Sequence, residues 1–302
     1  MPDSRLRYPS GDGTPITAYR WDPAGTPVAA LQVTHGMGEH ALRYDAFARA
    51  ITDRGLVVYA QDQRGHGETA DPQALGDLGE GGWPALVDDI SLLTALIRAE
   101  HPGIPLIVLG HSMGSFAVQQ YLLDHSADVD GAILTGTAVI DLLEPALDLD
   151  QPLDLAMFNA AFQPARTDYD WLSRDEALVD AYVADSRCGF GIDTASAKAM
   201  FTGARRLADP EQVAAIRPGL PVYIAVGEND PVNGGLTLLT PLADRLKAAG
   251  LSDVVVRTYP GARHEILNET NRAEVISDLS DWLDRVLEAV LAAGREGGPS
   301  GG

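Results

Sequence analysis

The chain has 302 residues, 45% of them hydrophobic, enough to bury a sizeable core as one large α/β domain or two small ones. Its 22 Lys and Arg against 43 Asp and Glu leave a formal net charge of -21, a field that repels nucleic acid, so no nucleic-acid partner is expected. The single cysteine, Cys188, excludes an internal disulfide framework and reads as a small buried hydrophobe.

The first residues lack the apolar core of a signal peptide, and no apolar run approaches the roughly 18 residues of a membrane span. A cytoplasmic protein with no integral membrane association is expected. Residues 5–8 alternate in period two, Gly11-Asp12-Gly13 turns the chain and residues 16–21 return, which predicts a hairpin. Short apolar runs at 28–34, 56–60, 106–109 and 132–135 follow, each ending in turn residues, as central strands of a parallel sheet do.

Between these strands Trp83, Leu86, Val87, Ile90, Leu93, Leu96 and Ile97 recur at steps of three and four, one apolar stripe of a covering helix. Strand-like sequence lapses between about 138 and 218, where helical pieces at 175–184 and 195–206 dominate. It resumes at 221–226 and 254–259, so the lapse reads as a cap inserted into the sheet-forming unit. A last amphipathic helix runs from Val275 to Val290, with Asn271 a plausible cap ahead of it. The expected division is a core of residues 1–137 and 219–293, a cap of 138–218, and a flexible Gly-rich tail of 294–302.

Gly110-His111-Ser112-Met113-Gly114 leaves the strand at 106–109 and enters a helix-like stretch carrying Phe116, Ala117, Tyr121 and Leu122. Strand, sharp turn and helix is the context in which Gly-x-Ser-x-Gly lifts a nucleophilic hydroxyl above a sheet, so Ser112 is the candidate nucleophile. A serine hydroxyl attacks poorly unless an imidazole takes its proton and an acid holds that imidazole. Both partners are expected in loops after later strands. The loop after 221–226 offers Asp230, with Glu228 as its rival; Asp230 is favoured because the residue just past the strand has less reach.

The loop after 254–259 offers His264 as the base. His35, His40, His66, His101 and His125 precede the acid or lie on helices, and His111 is expected to point away from the elbow. The oxyanion of an acyl-transfer intermediate needs backbone donors. Met113, just after the nucleophile, supplies one N–H, and Met37 in His35-Gly36-Met37-Gly38-Glu39-His40 is the expected second. Asp62-Gln63-Arg64-Gly65-His66-Gly67 reads as a pinned structural loop. No pair of His residues has the spacing of a zinc helix, and no metal or organic cofactor is expected.

At these motifs the sequence resembles the monoacylglycerol lipase and lysophospholipase-like group of α/β hydrolases, often bracketed with the serine aminopeptidases. The segment at 35–40 is similar to that group's oxyanion loop, 62–67 to its Asp-x-Arg-Gly-His-Gly loop, 110–114 to its elbow, and 261–269 to the stretch carrying its histidine. The resemblance implies an α/β-hydrolase fold with a mostly parallel eight-stranded sheet, a helical cap after strand six, and hydrolysis of carboxylic esters bearing one acyl chain. Monoacylglycerols, lysophospholipids and simpler fatty esters are the implied small-molecule substrates.

Cys188-Gly189-Phe190-Gly191 is similar to a short stretch in bacterial members of the group, and elsewhere the cap aligns with nothing recognisable. Its Leu142, Leu143, Leu147, Leu149, Leu153, Leu155, Met157, Phe158 and Phe162 serve either to receive an acyl chain or to seat the cap on the core, and both readings stand. Two other functions stay open. The same triad acts on thioesters, amides, peptides or carbon–carbon bonds in this fold, and some members keep the fold as ligand-binding proteins after losing the triad. The oligomeric state is open.

Overall fold

The computed structural model describes residues 1–296. The alternating N-terminal segment forms the expected hairpin, β1 (Ser4–Pro9) antiparallel to β2 (Pro15–Trp21), with Ser4 opposite Arg20 and Pro9 opposite Pro15. The apolar runs become β3 (Ala29–Thr34), β4 (Leu56–Gln61), β5 (Leu106–His111), β6 (Gly131–Thr135) and β7 (Val222–Gly227), and every residue in these five strands is buried. A strand covered on both faces cannot alternate, so it reads as a continuous apolar run. The last strand, β8 (Val254–Tyr259), lies at the sheet edge and is partly exposed.

These strands make one eight-stranded sheet in the order β1-β2-β4-β3-β5-β6-β7-β8. The β2–β4 pair is antiparallel, and every pairing from β4 through β8 is parallel. Parallel order carries the loops after β3, β5, β7 and β8 to one edge of the sheet. Ligands of open α/β sheets bind at this carboxyl edge.

The helices are α1 (Asp45–Thr52), α2 (Gly82–Glu100), α3 (Met113–His125), α4 (Glu176–Ala184), α5 (Thr194–Ala204), α6 (Pro210–Val213), α7 (Thr240–Ala248) and α8 (Arg272–Glu296). On one face of the sheet Trp83, Leu86, Ile90, Leu93 and Ile97 of α2 pack with Phe116, Ala117 and Tyr121 of α3. On the other, Phe47 and Ile51 of α1 meet Val275, Leu279, Leu283 and Val286 of α8. Each Leu, Ile, Val or Phe side chain among these, nearly fully buried, contributes about 1.5–3 kcal/mol relative to exposure. No helix among the described residues is long and apolar enough to cross a membrane.

Helices α1 and α7 go beyond the sequence expectations, because stretches of eight or nine residues carry too few turns for periodicity to stand out. Between β6 and β7 the described chain has no strand; α4 and α5 start at Asp175 and Asp193, whose carboxylates accept the Leu178 and Ser196 N–H groups. The C-terminal boundary needs correction. Gly294, Arg295 and Glu296, assigned to the tail by composition, continue α8, and the rest of that expected tail lies outside the described residues.

Arg64 is 1% exposed and ties the hairpin to α2. It donates to Asp89 at 2.8 Å, to Asp12 at 2.8 Å and to Ser10 Oγ at 2.7 Å. Removing the guanidinium strands the buried Asp89 carboxylate without its counter-ion. Arg64→Met is therefore expected to lower the free energy of unfolding by about 3–5 kcal/mol, as measured by urea denaturation, and an unchanged midpoint would refute the role given to this ion pair.

Candidate active site

Ser112 joins β5 to α3 with φ 50 and ψ -123, a conformation disfavoured for any residue with a side chain. Two glycines make the bend possible. A Cβ on Gly114 would come within 2.2 Å of the Thr34 carbonyl oxygen, and one on Gly110 within 2.5 Å of the Gly114 oxygen. Only glycine lets α3 pass this close to β3. The turn is further held by the Ser112 N–H, which donates to the Thr135 carbonyl at 2.9 Å.

Asp230 follows β7 and is fully buried. One of its oxygens accepts the Val232 N–H at 2.9 Å, and the other lies 2.9 Å from His264 Nδ1. Glu228, the alternative acid, bonds the Thr258 hydroxyl at 3.0 Å. With Nδ1 engaged by Asp230, the tautomer that leaves Nε2 free to accept a proton is the one the pair favours. His264 and Ser112 both line one cavity.

Burial alone would depress the His264 pKa. The Asp230 carboxylate, helped by Glu265 and Glu39, reverses that and holds it above the ordinary 6.5. His111 differs from its expectation. The sharp bend at Ser112 breaks the strand's alternation, and the His111 ring sits 4.8 Å from that of His264 on the cavity wall, with Nδ1 3.0 Å from Thr135 Oγ1. Burial, and then His264, push its pKa down to about 4.

Met113 opens α3, so its N–H has no intrahelical acceptor. In the loop after β3, the Gly36 N–H donates to Glu39 at 2.5 Å and the Gly38 N–H to His66 Nε2 at 3.2 Å, and Met37 between them lines the cavity. Asp62 pins the neighbouring loop by accepting the Ala41 and Glu68 N–H groups at 2.9 and 2.7 Å.

The rest of the cavity wall is mostly apolar. Leu143, Leu147, Leu153, Leu155, Met157 and Phe158 from the segment after β6 face it, beside Phe116, Ile140, Trp171, Leu172, Met200, Phe201 and Val232. Leu142 is about half exposed, while Leu149 and Phe162 pack against the core. The sequence reading missed a cluster in which Arg43 pairs with Glu39 and Glu265 and lies over the Tyr182 ring, beside the loops that carry Met37 and His264. No motif spacing signals them, because they meet from three separate segments.

One trio of possible metal ligands exists among the described residues. His40, Asp185 and Cys188 each offer an atom within 4.8 Å of the others. Arg187 already holds both Asp185 oxygens, at 3.1 and 2.9 Å, and burial pushes the Cys188 thiol up to about 12. A cation would have to displace a guanidinium and deprotonate a buried thiol.

The profile of the serine aminopeptidase S33 hydrolases matches residues 25–271. The chain belongs to this family. It is 32% identical over 278 residues to a monoacylglycerol lipase of Mycolicibacterium smegmatis, covering 90% of this chain and 93% of the relative. It is 28% identical to the human monoglyceride lipase, covering 91% and 89%. Among solved structures, a thermostable carboxyl esterase from Bacillus coagulans superposes with a TM-score of 0.84 at 26% identity, over 95% of this chain and 99% of that one. The α/β-hydrolase fold is thus common to this member and its neighbours.

The two neighbouring histidines should titrate on opposite sides of the ordinary 6.5, His264 above it and His111 near 4. Ring resonances followed by NMR from acid to neutral pH would show His111 losing its proton first, and the reverse order would contradict the charge arrangement described here.

Proposed function

We propose that this carboxylic ester hydrolase works through Ser112, His264 and Asp230, forming an acyl-enzyme on Ser112 from an uncharged ester with one fatty acyl chain. The observation that carries the reading is a strained serine elbow opening, together with an Asp-paired histidine, into an apolar cavity. In the first half-reaction His264 Nε2 takes the Ser112 proton as Oγ attacks the ester carbonyl, and Asp230 stabilises the imidazolium that forms. The N–H groups of Met37 and Met113 receive the oxyanion. The imidazolium then protonates the departing alcohol, and water, activated by the same imidazole, releases the fatty acid.

The wall chemistry bears on the substrate. Glu39, Asp154 and Glu265 line the cavity, with no Lys or Arg among its lining residues. A phosphate-bearing lysolipid would bring negative charge towards carboxylates without a lining cation to meet it. A monoacylglycerol brings hydroxyl groups, which carboxylates accept as hydrogen bonds. The leucines and Phe158 after β6 would receive the acyl chain, giving residues 138–218 the role of a cap over the site.

The test is turnover of p-nitrophenyl esters from acetate to palmitate, beside a monoacylglycerol, an anionic lysophosphatidylglycerol and an amino-acid anilide. Medium or long acyl chains are expected to be preferred, and the monoacylglycerol to exceed the lysolipid. Ser112→Ala should abolish turnover without altering the fold, and Asp230→Asn should lower kcat by about 10⁴-fold. Full activity in Asp230→Asn would remove this acid from the mechanism, and preference for the anilide would change the bond cleaved.

A further inference from the structure

Three charged side chains at the edge of the site, two of them lining the cavity, are nearly as buried as its core. Arg43 donates to Glu39 Oε2 at 2.6 Å and, through both terminal nitrogens, to the two Glu265 oxygens at 2.5 and 2.7 Å. The side chains are 12%, 4% and 6% exposed for Arg43, Glu39 and Glu265. Glu39 Oε1 also accepts the Gly36 N–H and the Tyr44 hydroxyl, at 2.5 and 2.8 Å. Glu265 follows His264 directly, and its N–H donates to the Leu172 carbonyl at 2.8 Å.

The guanidinium lies 4.7 Å from the centre of the Tyr182 ring, and the Tyr182 hydroxyl donates to the Gly38 carbonyl at 2.8 Å. One cation thus joins the loop after β3, the loop after β8 and helix α4. Two carboxylates to one guanidinium leave a net charge of -1 in a buried place, a costly arrangement unless something beside it gains from the charge. The neighbour is His264.

We propose that Glu39, Arg43 and Glu265 act as a positioning strut for the acyl transfer: the strut fixes the Met37 loop against the His264 loop and keeps one excess negative charge beside the imidazole. The inference rests on the reading of Ser112 and His264 given above. The charged and titratable groups that face His264 are Asp230 from the loop after β7, Glu39 from the loop after β3, its neighbour Glu265, and His111 from β5. Of these His111 is neutral above about pH 4, so Asp230 and the strut supply the field that favours imidazolium. Burial works against Glu39 ionising, and the Arg43 guanidinium with the Gly36 and Tyr44 bonds outweighs it, which holds its carboxyl below the ordinary value.

The experiment is the pH dependence of kcat and kcat/KM for a p-nitrophenyl ester in Glu39→Gln, Glu265→Gln and Arg43→Lys, with thermal unfolding of each. His264 must be neutral to act as base, so the acid limb of kcat/KM reports its pKa. Either glutamine change removes one negative charge and should move that limb to lower pH by about half a unit or more. Arg43→Lys keeps the charge but cannot bridge both carboxylates with a planar fork. It should leave the limb in place and lower kcat at least about tenfold with KM little changed.

Folded glutamine variants that lose rate equally at every pH, with the limb unmoved, overturn the electrostatic part. Where one of them does not fold, the other decides. Arg43→Lys with unchanged kcat overturns the strut. Wild-type protein without Ser112-dependent turnover would instead count against the acyl-transfer reading. The His264 pKa would then be read by NMR in the same variants, where an unmoved value would overturn the strut by itself.

Discussion

The site depends on an approach that only glycine permits, the passage of α3 beside the end of β3 at Gly114. Because no Cβ stands between them, the helix starts directly above the sheet, and Ser112 is lifted at its first turn. The loop after β3 then lies against the elbow, with the place of a Gly36 Cβ 3.1 Å from Ser112 Cβ. A larger residue at Gly114 would push the helix away and separate the hydroxyl from the Met37 loop. The strain at Ser112 is held by strand pairing on both sides of β5.

Around that contact the site is assembled from loops that share one edge of a parallel sheet. The loops after β3, β5, β7 and β8 come from positions far apart in the chain. They converge because the strands run the same way and the crossovers return each to the same end. Buried charge orders them. Asp230 holds His264 on one side, while Arg43 holds Glu265 and Glu39 on the other. Such groups are costly to bury singly and stable together, so the loops are coupled and do not move freely.

The apolar wall has a different origin. Most of it comes from the segment between β6 and β7, which lies over the sheet edge and contributes leucines, Phe158 and Trp171. The Trp171 ring sits 4.9 Å from that of His264, and the Trp171 and Leu172 carbonyls accept the N–H groups of His264 and Glu265. The apolar cavity wall and the histidine loop are therefore in direct contact.

Local patterns carried much of the protein in the sequence itself. Continuous apolar runs announced the buried strands, the α2 stripe announced a covering helix, and the Gly-x-Ser-x-Gly turn marked Ser112, since each rests on neighbours within a few residues. Order along the chain offered His264 as base and Asp230, with Glu228 as its rival, as acid, because strand sequence alone says which loops reach the same edge. The contact of Asp230 with His264 in place of Glu228, the turn of His111 towards the cavity, and the Glu39–Arg43–Glu265 cluster were decided by tertiary structure. Arg43 and Glu265 are separated by 222 positions. No periodicity or motif spans that distance, and only the folded sheet, by bringing the ends of β3 and β8 to one edge, makes the two charges neighbours.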